Sequence, residues 1–429
     1  MWLIYKKLSQ QLIHPVFPAS ILKLDNGLTL IHQEIPTTPV VVADVWVRAG
    51  AAREPEQWFG MAHFLEHMIF KGTAKIAPGA FDDKIENRGG VSNAATSHDY
   101  AHYCVTTAAP YLEDTLPYLA EILVNAAIPE DEFLRERDVV LEEIRSCYDD
   151  PEWLGFQSLI KNVYPQHPYG RSVLGTEQEL MQHSADDMRC FHRAHYQPEN
   201  MTVVIVGGIE QAKAWELVNQ SFANFAPPVD CPPSITAKQP VIQGIERQEL
   251  CLPRLEQGRL LMAWTAPGVD QLRTAYGLDV LSVFLTEGRT SRLVRDLREE
   301  QQLVYGICSN FSLQKESSLF TITAWLEPEN IEKVEYLIRS HLHDLQTDGI
   351  REQELARMRR LLCNEYAFST ETPNQLTGLY GYYNTIAQAE VATTYPEQIQ
   401  SFTTQELQQL AKQYLSPQNY AVTILKPGY

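Results

Sequence analysis

No run of apolar residues approaches the roughly 18 that a helix needs to span a bilayer, so a transmembrane protein is not expected. Cysteine is sparse and scattered. Cys104, Cys147, Cys190, Cys231, Cys251, Cys308 and Cys363 form an odd set with no CxxC pair, which excludes a disulfide framework and a thiolate zinc cluster and leaves reduced, buried thiols. Low-complexity tracts are absent. Cations are outnumbered, 35 Lys and Arg against 54 Asp and Glu, for a net charge of -19. A nucleic-acid surface needs a positive patch and is not expected, whereas an acidic cavity would suit a basic ligand. The N-terminal stretch MWLIYKKLSQQLIHPVFP puts its lysines after a short apolar segment and lacks a long hydrophobic core and a small-residue cleavage site. A secretory signal is therefore not supported, and a cytoplasmic location is expected.

What is present describes a globular chain. The 429 residues exceed one ordinary core and suggest two or three domains. Hydrophobic residues make up 44% and charged ones 21%, with 7 Trp, 20 Tyr and 15 Phe, which argues against disorder. The sharpest break in composition is FAPPVDCPPSITAKQP, Phe225 to Pro240, where clustered prolines interrupt both helical and strand patterns. This divides the chain into an N-terminal domain over 1–225, a linker over 226–240 and a C-terminal domain over 241–429.

The two halves resemble each other. Adding 218 to a first-half number takes Trp46 to Trp264, Gly50 to Gly268, Pro110 to Pro328, Tyr118 to Tyr336 and Leu119 to Leu337. Further on the offset becomes 222, and IPEDEFLRERDVVLEEIR from Ile128 lies against IREQELARMRRLLCNEY from Ile350. A duplicated fold follows. Each half opens with alternating strands, GLTLIHQEI and VVVADVWVRAG in the first, QELCLP and RLLMAWTAPG in the second. Helices follow, among them EQWFGMAHFLEHMIF, YLEDTLPYLAEILVNAA and PEDEFLRERDVVLEEIRSCY, while GGVSNAATSHDYAHYCVTTAA reads as a strand pair. Strands and helices mix without βαβ regularity, so the expected class is α+β, two similar domains, each a largely antiparallel sheet packed with helices.

Within the apolar run FGMAHFLEHMIFKGT stand His63, Glu66 and His67. Burying such groups unpaired costs on the order of a few kcal/mol each, so they need a reason. The 218 offset maps them onto Leu281, Phe284 and Leu285. The fold therefore does without the polar trio, and its presence in one copy points to chemistry. On a helix His63 and His67 project from one face a turn apart and can converge on one ion, with Glu66 close enough to reach a water beside it. Zinc suits such donors, keeping a fourth position for water whose pKa falls toward about 7. A third ligand is needed. The helix FLRERDVVLEEIRS offers Glu136 and Glu143, nearly eclipsed over two turns, with Glu142 about 100° away from Glu143 and competing with it.

HFLEHMIFKGT, preceded by GAAREPEQWFGMA and followed by RERDVVLEE, resembles the HxxEH inverted-zincin metallopeptidases of the pitrilysin/insulinase family. The likeness is closest to bacterial relatives of the mitochondrial processing peptidase β subunit. It extends through GGVSNAATSHDY, HPYGRSVLGTEQEL and SRLVRDLREEQQLVYGI, nearly the whole chain. The resemblance implies one Zn²⁺ per chain held by His63, His67 and Glu143, with Glu66 as general base and Glu136 as a supporting acid. It selects Glu143 over Glu142, because the family's third ligand lies 76 residues past the second histidine. In GGVSNAAT it implies an edge strand on which a peptide is laid, Asn93 and Ala94 holding its backbone. Arg298 and Tyr305 resemble the family's paired substrate-binding Arg and Tyr, able to donate to a peptide carbonyl or a developing oxyanion.

Because that pair acts on a zinc site in another half of a closed chamber, a short chain implies a homodimer, or alternatively a heterodimer with a paralogue. The implied activity is a zinc endopeptidase acting on peptides or unfolded segments. The competing classes are a non-catalytic scaffold subunit of the same fold, which usually loses ligands, and a structural zinc protein, which would need a fourth ligand. His98 and His102, four apart on an expected strand and sharing a face, read as ordinary polar residues. His167 in HPYGR reads as a loop residue without a catalytic role.

Overall fold

The computed structural model describes residues 17–253 and 255–428. The N-terminal stretch read for a targeting signal lies outside the described residues up to residue 16. The first half contributes strands β1 (Ser20–Lys23), β2 (Thr29–Glu34), β3 (Val40–Val47), β4 (Val91–Thr96), β5 (Ala101–Ala108) and β6 (Met201–Gly207). Its helices are α1 (Met61–Ile69), α2 (Ala80–Glu86), α3 (Leu112–Val124), α4 (Glu130–Tyr148), α5 (Pro151–Val163), α6 (Glu177–Leu180), α7 (Ala185–His195) and α8 (Gln211–Ser221). In the second half are β7 (Ile245–Leu252), β8 (Gly258–Pro267), β9 (Gly306–Ser312), β10 (Ser317–Leu326) and β11 (Tyr420–Pro427). With them come α9 (Leu272–Thr286), α10 (Ile331–Thr347), α11 (Glu352–Phe368), α12 (Pro373–Ile386), α13 (Tyr395–Ser401) and α14 (Thr404–Tyr414).

Two sheets result, ordered β1-β2-β6-β3-β5-β4 and β7-β11-β8-β10-β9. Both are antiparallel except for one parallel pair each, β2 with β6 and β7 with β11. The class is therefore α+β with two similar halves, as the alternating strands indicate. Strand β3, VVVADVWV, looks too apolar for a strand with one wet face, and the structure explains why. Val41, Ala43, Val45 and Val47 enter the core beneath α1, α3 and α4, while Trp46 faces the other way among Leu376, Tyr380 and Tyr383. A strand covered on both faces reads as a continuous hydrophobic run.

Those covering residues come from the opposite half. Helix α12 lies on the outer face of the first sheet, and in return α5 lies on the second, where Leu159, Ile160 and Val163 pack on Leu261, Ala263 and Leu425. The prolines that begin the two helices, Pro151 and Pro373, are related by the same offset of 222. The exchange is thus itself duplicated. Helix α12 approaches so closely at Gly381 that a Cβ there would sit 2.0 Å from the Trp46 indole nitrogen.

The pairing registers also correct the mapping of the polar trio. His102 lies opposite Trp46 and Phe320 opposite Trp264, so β3 and β5 keep the offset of 218. Ala95 lies opposite His102 whereas Phe311 lies opposite Phe320, so β4 corresponds to β9 with an offset of 216. The helix between follows the strand. Under 216 the core residues Leu65, Met68 and Ile69 become Leu281, Phe284 and Leu285, all core residues of the second half. His63, Glu66 and His67 then correspond to Asp279, Ser282 and Val283, not to Leu281, Phe284 and Leu285. The identities that anchor the alignment lie in strands and turns, and a two-residue shortening ahead of α9 is invisible from them.

Candidate metal centre

The long helix expected over EQWFGMAHFLEHMIF is broken in two. A 3₁₀ turn occupies Glu56–Trp58, and α1 starts only after Gly60, whose φ of 82° is the left-handed conformation that glycine tolerates. The start of α1 is capped from a distance. Glu54, buried, accepts the Ala62 amide at 2.8 Å and the Gly60 amide at 3.1 Å, satisfying donors that a helix N-terminus leaves free. Burial pushes its carboxyl up to about 8. Apolar residues Met61, Ala62, Phe64, Leu65, Met68 and Ile69 are then sealed inside, which fixes the direction of the remaining face.

That face carries the polar trio toward α4. Phe64 packs on Phe133 with ring centroids 4.7 Å apart, aligning the two helices so that Glu136 and Glu143 look across at the histidines. Glu143 Oε2 lies 3.7 Å from His63 Nε2 and 3.5 Å from His67 Nε2. One donor atom from each of the three residues falls within 4.8 Å of the others. Tetrahedral bonds of about 2 Å would separate their ligand atoms by about 3.3 Å, so the set fits a zinc-sized ion with little adjustment. Glu142 turns outward, exposed and paired with Arg145, so of the two neighbouring acids it is Glu143 that gathers with the histidines.

Glu136 orients the second histidine. Its Oε1 is 3.0 Å from His67 Nδ1 and its Oε2 is 2.6 Å from Lys71 Nζ. A proton on Nδ1, assigned from this contact, leaves Nε2 as the free donor. Burial, then the neighbouring His67, lowers His63 to about 4, so its imidazole is neutral and competent as a ligand. Burial alone would lower His67 too, but its bonds to Glu136 and Glu143 hold it up at about 9. A proton between two carboxylates occupies the place a metal cation would fill. The bond to His67 is the main reason Glu143 is held below the usual carboxylate range.

Glu66 stands on the same helix with its carboxyl raised, chiefly by burial. Thr96 Oγ1 donates to its Oε2 at 2.5 Å. Thr96 ends β4, the edge strand of the first sheet, so one hydroxyl ties the edge strand to Glu66. No sequence pattern singles out Thr96, Lys71 or Glu54; Thr96 and Lys71 meet partners remote in sequence, whereas Glu54 reaches amides six and eight residues ahead of it. Asn93 and Ala94 lie in β4 opposite Cys104 and Tyr103, the other side of the strand carrying no partner strand among the described residues. Arg298 and Tyr305 lie in the second half and are not brought to the metal group by any contact among the described residues. Arg298 sits in a π-helical turn, Val294–Glu300, paired with Glu299, and Tyr305 donates to Glu327.

His98 and His102 do not share a face. His102 lies in β5, bonded to Asp44 at 3.0 Å and stacked on Trp46, while His98 lies in the β4–β5 turn with Nε2 3.0 Å from the Arg171 carbonyl oxygen. The strand pair is shorter than its sequence pattern. Both histidines lie outside the metal group, and so does His167, which is buried, accepts the Tyr169 amide and reaches Glu316 across the halves at 3.3 Å.

A duplicated α+β fold with two histidines and a glutamate gathered in one copy defines a metallopeptidase-like architecture. Comparison with known proteins agrees. The family profile described as insulinase, peptidase family M16, matches residues 29–177, and that of the peptidase M16 inactive domain matches residues 183–362. The chain belongs to peptidase family M16. It is 28% identical to the zinc protease PqqE of Helicobacter pylori over 408 residues, covering 94% of this chain and 92% of that one. The uncharacterized zinc protease YmxG of Bacillus subtilis is 28% identical over 355 residues, 81% of this chain and 84% of its own. Among solved structures, a protease from Helicobacter pylori superposes with a TM-score of 0.89 at 27% identity, covering 95% of this chain and 99% of that chain. The first half of the periplasmic protease PqqL from Escherichia coli shares the fold, with a TM-score of 0.79 at 18% identity over 95% of this chain and 92% of its own. No helix among the described residues is long and apolar enough to cross a membrane.

Proposed function

We propose that the protein is a zinc-dependent endopeptidase that hydrolyses peptides or unfolded segments in a chamber closed by two chains. The observation that carries this reading is the convergence of His63, His67 and Glu143, with donor atoms within 4.8 Å, beside a strand with an open edge and a half-buried glutamate, Glu66. One Zn²⁺ per chain would be held by these three residues, Glu136 fixing the tautomer of His67. When bound, zinc supplies Lewis acidity that polarises a carbonyl and makes a water acidic near neutral pH. Glu66 takes the proton from the attacking water and delivers it to the leaving amine nitrogen. Its upward shift by burial suits this alternation, because a carboxyl that holds a proton more tightly is the better base. Thr96 orients it through one oxygen and leaves the other free.

The peptide adds a strand to the open edge of β4 at Asn93 and Ala94, so that the scissile carbonyl lies over α1. Arg298 and Tyr305 of a second copy donate to the oxyanion. Tyr305 is 55% exposed, which supports its offering to another chain. The assembly is a homodimer, a paralogue replacing the second copy in the alternative arrangement. A cytoplasmic location is part of this reading; of the seven thiols expected to be buried only Cys104 is, the others being half-buried or exposed. The test combines chelation with mass in solution. Cleavage of an unstructured peptide should cease after metal is stripped and return when zinc is added to a dimeric species. Cleavage that persists in the stripped chain overturns the reading.

A further inference from the structure

The second half retains a crevice where the first half has its metal centre. A cavity of about 350 Å³ opens between α9, β9 and α11, the counterparts of α1, β4 and α4. The volume is at the lower end of small-ligand sites. Asp279 and Ser282 face it from α9, at the positions that correspond to His63 and Glu66, and Glu365 faces it from α11, at the position of Glu143. The crevice thus holds carboxylates at two of the corresponding positions, Asp279 and Glu365, with Glu287 also in its lining and no histidine among its lining residues.

The walls are aromatic. Tyr366, Tyr383 and Tyr395 line the cavity, the rings of Tyr366 and Tyr395 lying nearly parallel at 19° with centroids 6.0 Å apart. Tyr395 donates its hydroxyl to Asp279 Oδ2. Among the described residues no Lys, Arg or His lines the cavity, so the carboxylates have no cation of their own there. Burial, with the charge of Glu365 adding to it, pushes Asp279 up to about 6. A metal is a poor occupant, since among the described residues only His63, His67 and Glu143 gather as a ligand group.

We propose that this cavity binds an organic cation, a primary ammonium or guanidinium group held between Asp279 and Glu365 against the tyrosine rings. Such a group carries several donors for the carboxylate and hydroxyl oxygens, and tyrosine faces attract a cation within about 6 Å. It enters either as a small free amine or as a lysine or arginine side chain of a peptide. The proposal does not depend on the catalytic reading of the first half.

The test is calorimetric titration of the full-length chain, in its Glu66→Gln form so that peptides survive. The probes are agmatine, a short blocked peptide with one arginine, and the same peptide with citrulline. Saturable binding of agmatine, of the arginine peptide or of both is expected, with none of the neutral peptide; whichever cationic probe binds identifies the source. Asp279→Asn and Glu365→Gln should each weaken that binding about tenfold or more, the loss of one charge-assisted contact. Zinc content should not change. If Asp279→Asn does not fold, Glu365→Gln, at an exposed position, carries the test alone. The proposal is overturned if neither cationic probe saturates, if the citrulline peptide binds equally, or if binding disappears in Glu143→Gln and persists in the second-half variants.

Discussion

The same crevice occurs twice in this chain, and the two copies carry different side chains. In the first, α1 presents His63, Glu66 and His67 to Glu143 and Glu136 of α4. In the second, α9 presents Asp279, Ser282 and Val283 to Glu365 and Met358 of α11. The helices, the edge strand and the aliphatic face turned to the core are common to both, as Leu65 and Leu281, Met68 and Phe284, and Ile69 and Leu285 demonstrate. On that shared frame four of the five facing side chains differ, and only the glutamate, Glu143 in one copy and Glu365 in the other, is common to both. Because that frame stands without the metal group, the first-half residues can be exchanged with little risk to folding.

Exchange gives the largest expected effect. His67→Val, which installs the second-half residue, should abolish zinc binding and peptide cleavage together while leaving the thermal transition near that of the parent stripped of metal. Elemental analysis alongside a cleavage assay checks it. The converse exchange, Asp279→His with Val283→His, should add a second zinc per chain beside Glu365. That ion should bind about 10–100-fold more weakly than the first, because Met358 replaces the acid that orients His67. Glu136→Gln isolates that acid in the first half, and competition with a zinc chelator should register a loss of affinity of about 10–100-fold.

Smaller effects come from the exchanged helices. Gly381→Ala forces a methyl group to within 2.0 Å of the Trp46 indole nitrogen unless α12 shifts, and should cost about 1–3 kcal/mol by denaturant unfolding. Gly155→Ala on α5 meets the ends of Leu425 at 3.0 Å and Leu261 at 3.4 Å, flexible groups able to shift, and should cost less. Equal losses at the two positions would show that α5 and α12 do not dock as differently as their contacts indicate.

Much of this was legible in the sequence. The HFLEH spacing identifies donors on one helical face, Trp46 and Trp264 reveal the duplication, and both pairs of opening strands appear where apolar alternation puts them. Local pattern suffices for the donors and the strands because their determinants lie within a few residues of chain, and the duplication shows because both copies kept the same residues at one offset. Other features depend on contacts between distant segments. The two-residue slip ahead of α9 emerges only from strand register. Neither Pro151 nor Pro373 indicates that its helix crosses to the other sheet. Thr96 looks like an ordinary strand residue until Glu66 is beside it. His98 belongs to a turn because the hairpin is shorter than its alternating pattern.

The central claim, that the first-half crevice is a hydrolytic centre with Glu66 as its base, is tested most directly by peptide cleavage in the Glu66→Gln chain at matched zinc content. The account predicts parental zinc and a cleavage rate lower by about 10²–10⁴-fold, the usual contribution of a general base. Cleavage at the parental rate by a fully loaded Glu66→Gln chain would contradict it.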